Sequence, residues 1–322
     1  MNIKVFDLHC DTALAMLDRQ ARPFRKLRSN DGHIDLERGS RLDAYAQCFA
    51  MFTFPGFDEH YGHPVTEVFD IALNNLLKEL KENSDLAAQA RTTAEVNANA
   101  AAGKVSAILT LEGPAGIGFD PARLEELAKI GFRISTLSWN ESNPLTGSCV
   151  TGGGLTDLGR EYVRECQRLG ILVDVSHISD EAFWDIMKIT EAPVIASHSN
   201  SRSVYNVPRN LTDDMFRAIC ETGGTAGFNM YTGFIGEGRV DLDTICDHML
   251  HFLELNPEGT CISLGGDLDG CDETPDGFAG IQDYPRVAER MIQRGIDEKT
   301  VHNICWNNAM GVKDRAVRNH QK

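Results

Sequence analysis

The strongest constraint on this chain is a regular exchange between short apolar runs and stretches of helical spacing. β-rich runs occur at 3–9, 44–52, 105–111, 132–137, 171–175, 194–196, 225–231 and 261–264. Between them the apolar positions recur every three or four residues, as in Val68, Ile71, Ala72, Leu76 and Leu80 within 65–83. Further helices are predicted near 92–102, 121–130, 156–169, 179–190, 212–221, 241–254, 284–294 and 297–310. Parallel strands need long crossovers, and helices supply them, so eight such units predict a (β/α)8 TIM barrel. A doubly wound open sheet shares the alternation, but no glycine-rich phosphate turn follows the first run. The whole of 1–322 reads as a single barrel domain with extra loops and C-terminal helices.

A barrel of this kind carries its chemistry at the carboxyl ends of its strands. Those ends read His9 and Asp11, Glu112, Trp139 and Asn140, His177, His198, Tyr231, and Asp267. His9 and Asp11 stand two residues apart, which on a strand places both side chains on one face. Three imidazoles and two carboxylates suffice for two divalent cations if one carboxylate is shared. Glu112, from the middle of the set, is the candidate bridge; His9 and Asp11 would complete one ion, His177 and His198 the other. This donor set suits zinc, with manganese or cobalt able to use it as well. Two such ions about 3.5–4 Å apart lower the pKa of a shared water towards roughly 7. Asp267 would then take the water's proton and deliver it to a leaving amine.

Singly, these residues have ordinary readings as well. Glu112 before Gly113-Pro114 could cap a helix, and His177 and His198 could be hydrogen-bonding residues at helix starts. His60 and His63 read as surface-loop residues, and His248 and His251 as surface or packing histidines. Asp269, before Gly270, reads as a turn residue, Cys10 as core, and 143–154, with Pro144 and four glycines, as a mobile loop.

The formal charge of −16 argues against nucleic acid or an anionic membrane as partner. The start Met1-Asn2-Ile3-Lys4-Val5-Phe6-Asp7 lacks a long apolar core, and the ending Arg318-Asn319-His320-Gln321-Lys322 is polar. Nine scattered cysteines without a C-x-x-C pair fit reduced thiols. The expectation is a cytoplasmic protein.

Several segments together resemble the membrane (renal) dipeptidase family of zinc peptidases, within the amidohydrolase-like barrels. They are Asp7-Leu8-His9-Cys10-Asp11-Thr12, Leu111-Glu112-Gly113, Asp174-Val175-Ser176-His177, Ser197-His198-Ser199, Arg209-Asn210-Leu211 with Asp213-Asp214, and Gly265-Gly266-Asp267-Leu268-Asp269-Gly270. The resemblance implies two zinc ions per chain with Glu112 bridging, small dipeptide substrates including those with a C-terminal D-residue, and a homodimer. It also implies that Arg209 binds the substrate's terminal carboxylate, a task suited to a guanidinium fork. By itself Arg209, after Pro208, would read as a surface arginine. Family members commonly carry a histidine at the end of the fourth strand, where this chain has Trp139. An indole donates one hydrogen bond but cannot become a cation, so Asn140 or a metal would have to polarise the scissile carbonyl. Trp139 is then expected to narrow the pocket or stack on a substrate side chain, with Asn140 and Tyr231 as further substrate contacts. A related binuclear hydrolase of other amides, lactams or esters, and an inactive ligand-binding barrel, are the alternatives.

Overall fold

The structure, a computed structural model, describes residues 1–312. Its parallel strands are β1 (Lys4–Cys10), β2 (Ala44–Phe52), β3 (Ala87–Gln89), β4 (Val105–Glu112), β5 (Phe132–Thr136), β6 (Leu172–Asp174), β7 (Val194–Ala196), β8 (Thr225–Phe228) and β9 (Ile262–Leu264). Eight of these close on themselves in the order β1, β2, β4, β5, β6, β7, β8, β9, with β1 paired to both β2 and β9 and β2 paired to β4. The short β3 flanks the start of β4 through Ala87 and Val105 and is additional to the barrel. The expected eight strands are therefore all present, and β3, three residues of unremarkable composition, is the one the apolar pattern did not show.

Alternation along the strands divides the apolar side chains into two groups. Phe6, Leu8, Ala46, Ile108, Ile134, Leu172 and Ile195 cluster with Trp306, filling the barrel. Val5, Cys10, Tyr45, Leu109, Leu111 and Val173 belong to the larger cluster against the helices, including Val68, Leu76 and Leu80 of Val65–Glu82. Val5 and Cys10 share this outer group although five positions apart, which strict alternation forbids. A bulge in β1 resolves it: Asp7 pairs with Gln47, but Cys10 with Phe49, so three steps on β1 match two on β2. Such a bulge re-aims side chains at a barrel rim, and here it lets Leu8 and then His9 both face inward. Asp11 lies beyond the strand with a non-extended backbone. His9 and Asp11 thus converge through a bulge and a turn, not through the two-residue period of an extended strand.

The helices start on conventional caps. Thr92 and Glu95 form a reciprocal capping box, and Thr156, Ser179, Thr212 and Asp297 each accept a backbone N–H of their helix. The segment 143–154 is bonded to the chain after β6, Ser148 bridging to Ile178 and Cys149 N donating to His177 O at 2.7 Å, and one of its glycines is required by close packing. A Cβ on Gly147 would fall 1.8 Å from the Gly152 carbonyl oxygen. Beyond Glu298–His302 the chain widens into a π-helical turn, Asn303–Asn307, that places Trp306 under the barrel. Among the described residues no helix is long and apolar enough to cross a membrane. The polar ending 318–322 lies outside the described residues.

Candidate metal centre

Four of the eight barrel strands supply the residues that meet first: His9 on β1, Glu112 on β4, and His177 and His198 just beyond β6 and β7. Glu112 closes β4 and continues the inward series Ile108, Thr110. Its two carboxylate oxygens face different histidines: Oε2 is 3.0 Å from His9 Nε2, and Oε1 is 3.0 Å from His177 Nε2 and 3.5 Å from His198 Nε2. Asp11 Oδ1 is 3.9 Å from His9 Nε2, and Asp267 Oδ1 is 3.7 Å from it. Three groups of possible ligands result, His9–Asp11–Glu112, Glu112–His177–His198 and His9–His198–Asp267, each with its ligand atoms within 4.8 Å of one another. All five predicted ligands and Asp267 are therefore gathered at one barrel mouth.

The backbone at this rim is bent. His177, Asp267 and Asp269 all have left-handed φ, of 69°, 56° and 63°, a conformation that costs non-glycine residues roughly 1 kcal/mol or more and clusters at functional sites. Close approach fixes His198 as well. A Cβ on Gly265 or Gly227 would lie 1.7 or 2.0 Å from the Ser197 carbonyl oxygen, so β8 and β9 can press on the segment carrying His198 only as glycine.

Hydrogen bonds on the far sides of the rings set the tautomers. Ser197 Oγ donates to Asp174 Oδ2, so it is an acceptor for His198 Nδ1 at 2.6 Å. His177 Nδ1 lies 3.2 Å from Asn140 Oδ1, again an acceptor. Both imidazoles hold their proton on Nδ1 and present a lone pair at Nε2, and those two Nε2 atoms are 2.9 Å apart. Burial also favours neutral rings, pushing the His177 and His198 pKa down, helped by Arg209 beside His177 and by His9 beside His198. Two lone pairs aimed at each other, and at a carboxylate oxygen, repel unless a cation lies between them.

The other half of the site makes the same demand. His9 Nε2 and Asp11 Oδ1 are buried without a hydrogen-bond partner. Burial and the adjacent Glu112 charge push the Asp11 carboxyl well above the usual range. Burial opposes charge on His9, but Glu112, followed by Asp11 and Asp267, outweighs it and raises the ring to about 10. Burial opposes ionisation of Glu112 too, yet the neighbouring His9 holds it well below the ordinary carboxylate range. The donors fit divalent metal ions of the zinc type.

The predicted substrate residues surround a cavity of about 580 Å³ over these groups, whose walls include Trp139, Asn140, Tyr231 and Asp267. Arg209 lies behind its wall. Its guanidinium packs 5.5 Å from the Phe234 ring centre and donates to Ser199 Oγ and the His198 carbonyl at 2.6 and 2.9 Å, while its buried Nε has no partner. Arg209 is only 6% exposed, so it is not the surface arginine its local sequence suggests.

Comparison with known proteins identifies the family. A family profile described as membrane dipeptidase, peptidase family M19, matches residues 1–322. The chain belongs to the membrane dipeptidase family. This family member superposes on a metallopeptidase from Rhodobacter sphaeroides liganded with a phosphinate mimic of the dipeptide L-Ala-D-Ala, with a TM-score of 0.86 and 27% identity over 98% of this chain and 100% of that one. It superposes equally on a dipeptidase AC of family M19, at TM-score 0.86 and 29% identity over 98% and 99% of the two chains. An uncharacterized dipeptidase of Schizosaccharomyces pombe is 32% identical over 65% of this chain and 52% of its own length. A second from that organism is 34% identical over 60% and 48%. The matched region thus spans about half the length of these curated relatives.

Sequence reading missed the residues that hold the ligands of this dipeptidase-family site in place. Asp174 accepts the Ser176 and Ser197 N–H groups at 2.9 Å each on Oδ1, and Thr136 Oγ1 and Ser197 Oγ on Oδ2. Asp7 accepts the His9 N–H at 3.0 Å and the Gly266 N–H at 2.9 Å, with the Tyr284 hydroxyl on its other oxygen. Asn229 donates to Asp267 Oδ2 at 2.9 Å. Support of this kind is typical of metal ligands; Asp7 and Asp174 stand in the quoted motif segments, but their supporting role is not readable from them. His60, read as a loop residue, stands on the short helix Phe57–Tyr61 and lines the cavity mouth. His248 is a packing residue as expected, accepting from Ser201 N and donating to the Ile235 carbonyl. Asp269 is a turn residue, holding Thr12 Oγ1 and His33 N.

Proposed function

We propose that this protein is a metal-dependent dipeptidase holding two zinc ions, one on His9, Asp11 and Glu112 and the other on Glu112, His177 and His198. The observation that carries this reading is Glu112, whose two oxygens face the two histidine sets separately at 3.0 Å. Bound metal would supply Lewis-acid polarisation of a carbonyl and a water acidic enough to ionise near neutral pH.

The chain's own groups account for the rest. Asp267 Oδ1 faces the centre while Oδ2 is held by Asn229, so its free oxygen is aimed to accept a proton and return it to the departing amine. The same carboxylate is a counter-charge for a substrate ammonium. Arg209, its Nε uncommitted, supplies positive charge for the terminal carboxylate beside Phe234. Asn140 fixes the His177 ring through Nδ1. The mimic bound by the Rhodobacter sphaeroides relative supports substrates with a D-residue at the C-terminal position. The composition and charge support a cytoplasmic location.

The test is amine release from a panel of L,L- and L,D-dipeptides by the purified chain, before and after chelation and after zinc is restored. Hydrolysis that is lost on chelation and regained with zinc is expected. A zinc-loaded chain that cleaves lactams or esters but no dipeptide would overturn the substrate assignment.

A further inference from the structure

The cavity over the metal ligands is far from uniform. On the side of β2 and β5 its wall is aromatic: Phe52, Phe54, Phe57 and Trp139. Their rings pack on one another, Phe52 and Phe54 lying 5.0 and 4.9 Å from the Trp139 ring, and Phe57 edge-on to both phenylalanines. Phe52, Phe54 and Trp139 are only half-buried and all three line the cavity. Trp139 is also only 6.4 Å, ring to ring, from His177, which puts the aromatic wall directly beside the reacting centre. On the other side lie Asp267 and Asp272, with Asp269 behind them held in its turn by Thr12 and His33, and among the described residues lining the space there is no lysine or arginine.

We infer that this wall is the specificity pocket for a large apolar or aromatic side chain of the substrate, and that it disfavours acidic side chains. This deepens, and rests on, the dipeptidase reading. A dipeptide anchored between Asp267 and Arg209 keeps its backbone over the ligands. A methyl side chain there extends one bond and leaves the aromatic faces wet, whereas a benzyl or isobutyl group reaches and covers them. Burial of such a group against preformed apolar walls is a gain a small residue cannot make. A carboxylate side chain laid against the aromatic wall would lose hydration there with no lysine or arginine among the lining residues to pair with it.

The experiment compares kcat/KM for Phe-Ala, Ala-Phe, Ala-Ala, Glu-Ala and Ala-Glu with the zinc-loaded wild type, Phe54→Ala and Phe54→Leu. At least one of the two Phe dipeptides is expected to exceed Ala-Ala by about tenfold or more, and both Glu dipeptides to fall below it. Phe54→Ala should reduce the Phe-to-Ala ratio about tenfold, with the fold-retaining Phe54→Leu lowering it less. Calorimetric binding of phosphinate analogues of Ala-Ala and of the benzyl-bearing peptide reads the pocket without turnover, and tighter binding of the benzyl analogue is expected. Equal turnover of Ala-Ala and both Phe dipeptides, or a ratio untouched by both substitutions, would overturn the pocket while leaving the dipeptidase reading standing. Selective binding of the benzyl analogue by a chain that cleaves no dipeptide would support the pocket and overturn the activity.

Discussion

His177 and His198 face each other through unprotonated Nε2 atoms 2.9 Å apart, because each ring has its proton committed on Nδ1, to Asn140 and to Ser197 respectively. The pair is unfavourable by itself and favourable around a cation. Zinc at a hundredfold excess over its dissociation constant should therefore stabilise the protein by about 2.7 kcal/mol per site. In His198→Ala this zinc-dependent increment should fall by half or more. The control is His248→Ala, a substitution of an equally buried histidine that belongs to none of the candidate ligand groups, which should lower stability but keep the increment. Thermal unfolding with and without zinc reads both.

Asn229 donates to the Asp267 oxygen that faces away from His9, leaving Oδ1 turned to the centre. Asn229→Ala should reduce kcat about 10- to 100-fold through loss of that orientation. Metal content, measured by elemental analysis, should not change. Loss of metal in step with activity would make Asn229 a support of the ligands instead.

Asp174 ties β5, β6 and β7 together beneath the ligands by accepting two backbone N–H groups and two hydroxyls. Asp174→Ala strands those buried donors and should cost at least about 3 kcal/mol in urea unfolding. Asp174→Asn, which keeps one acceptor oxygen, should cost less.

Protons compete with metal at His9. Its ring is raised from 6.5 to about 10 by Glu112, Asp11 and Asp267 despite burial, so below about 10 a cation must displace that proton. Apparent zinc affinity should rise about tenfold per pH unit for each proton released, measurable against a competing chelator at pH 6, 7 and 8. The metal-free chain should show the opposite trend. The stability supplied by protonated His9 is complete below 6.5 and is lost as pH rises to about 10. The raised Asp11 carboxyl acts in the same direction, favouring the folded metal-free chain at lower pH.

The barrel was legible because eight buried strands need eight apolar runs, and the cluster of candidate ligands because polar residues follow those runs in order. The reason given for pairing His9 with Asp11 was wrong in mechanism, since a bulge in β1 and a turn bring them together. A bulge leaves no mark on a run such as Val5-Phe6-Asp7-Leu8-His9-Cys10. The supporting roles of Asp174, Asn229 and Asp7 were not legible for a different reason: most of their partners come from distant parts of the chain, up to 277 residues away in the case of Asp7 and Tyr284. Of the glycines of 143–154, Gly147 answers a packing requirement against the Gly152 carbonyl, whereas Gly152 and Gly153 serve a left-handed turn with space around them.

The most direct measurement is anomalous diffraction at the zinc edge from crystals of the zinc-loaded protein. Two peaks about 3.5–4 Å apart, with the Glu112 carboxylate between them, His9 and Asp11 on one and His177 and His198 on the other, are the expected result. A single peak, or peaks that Glu112 does not join, would contradict the shared-carboxylate centre on which the proposed activity depends.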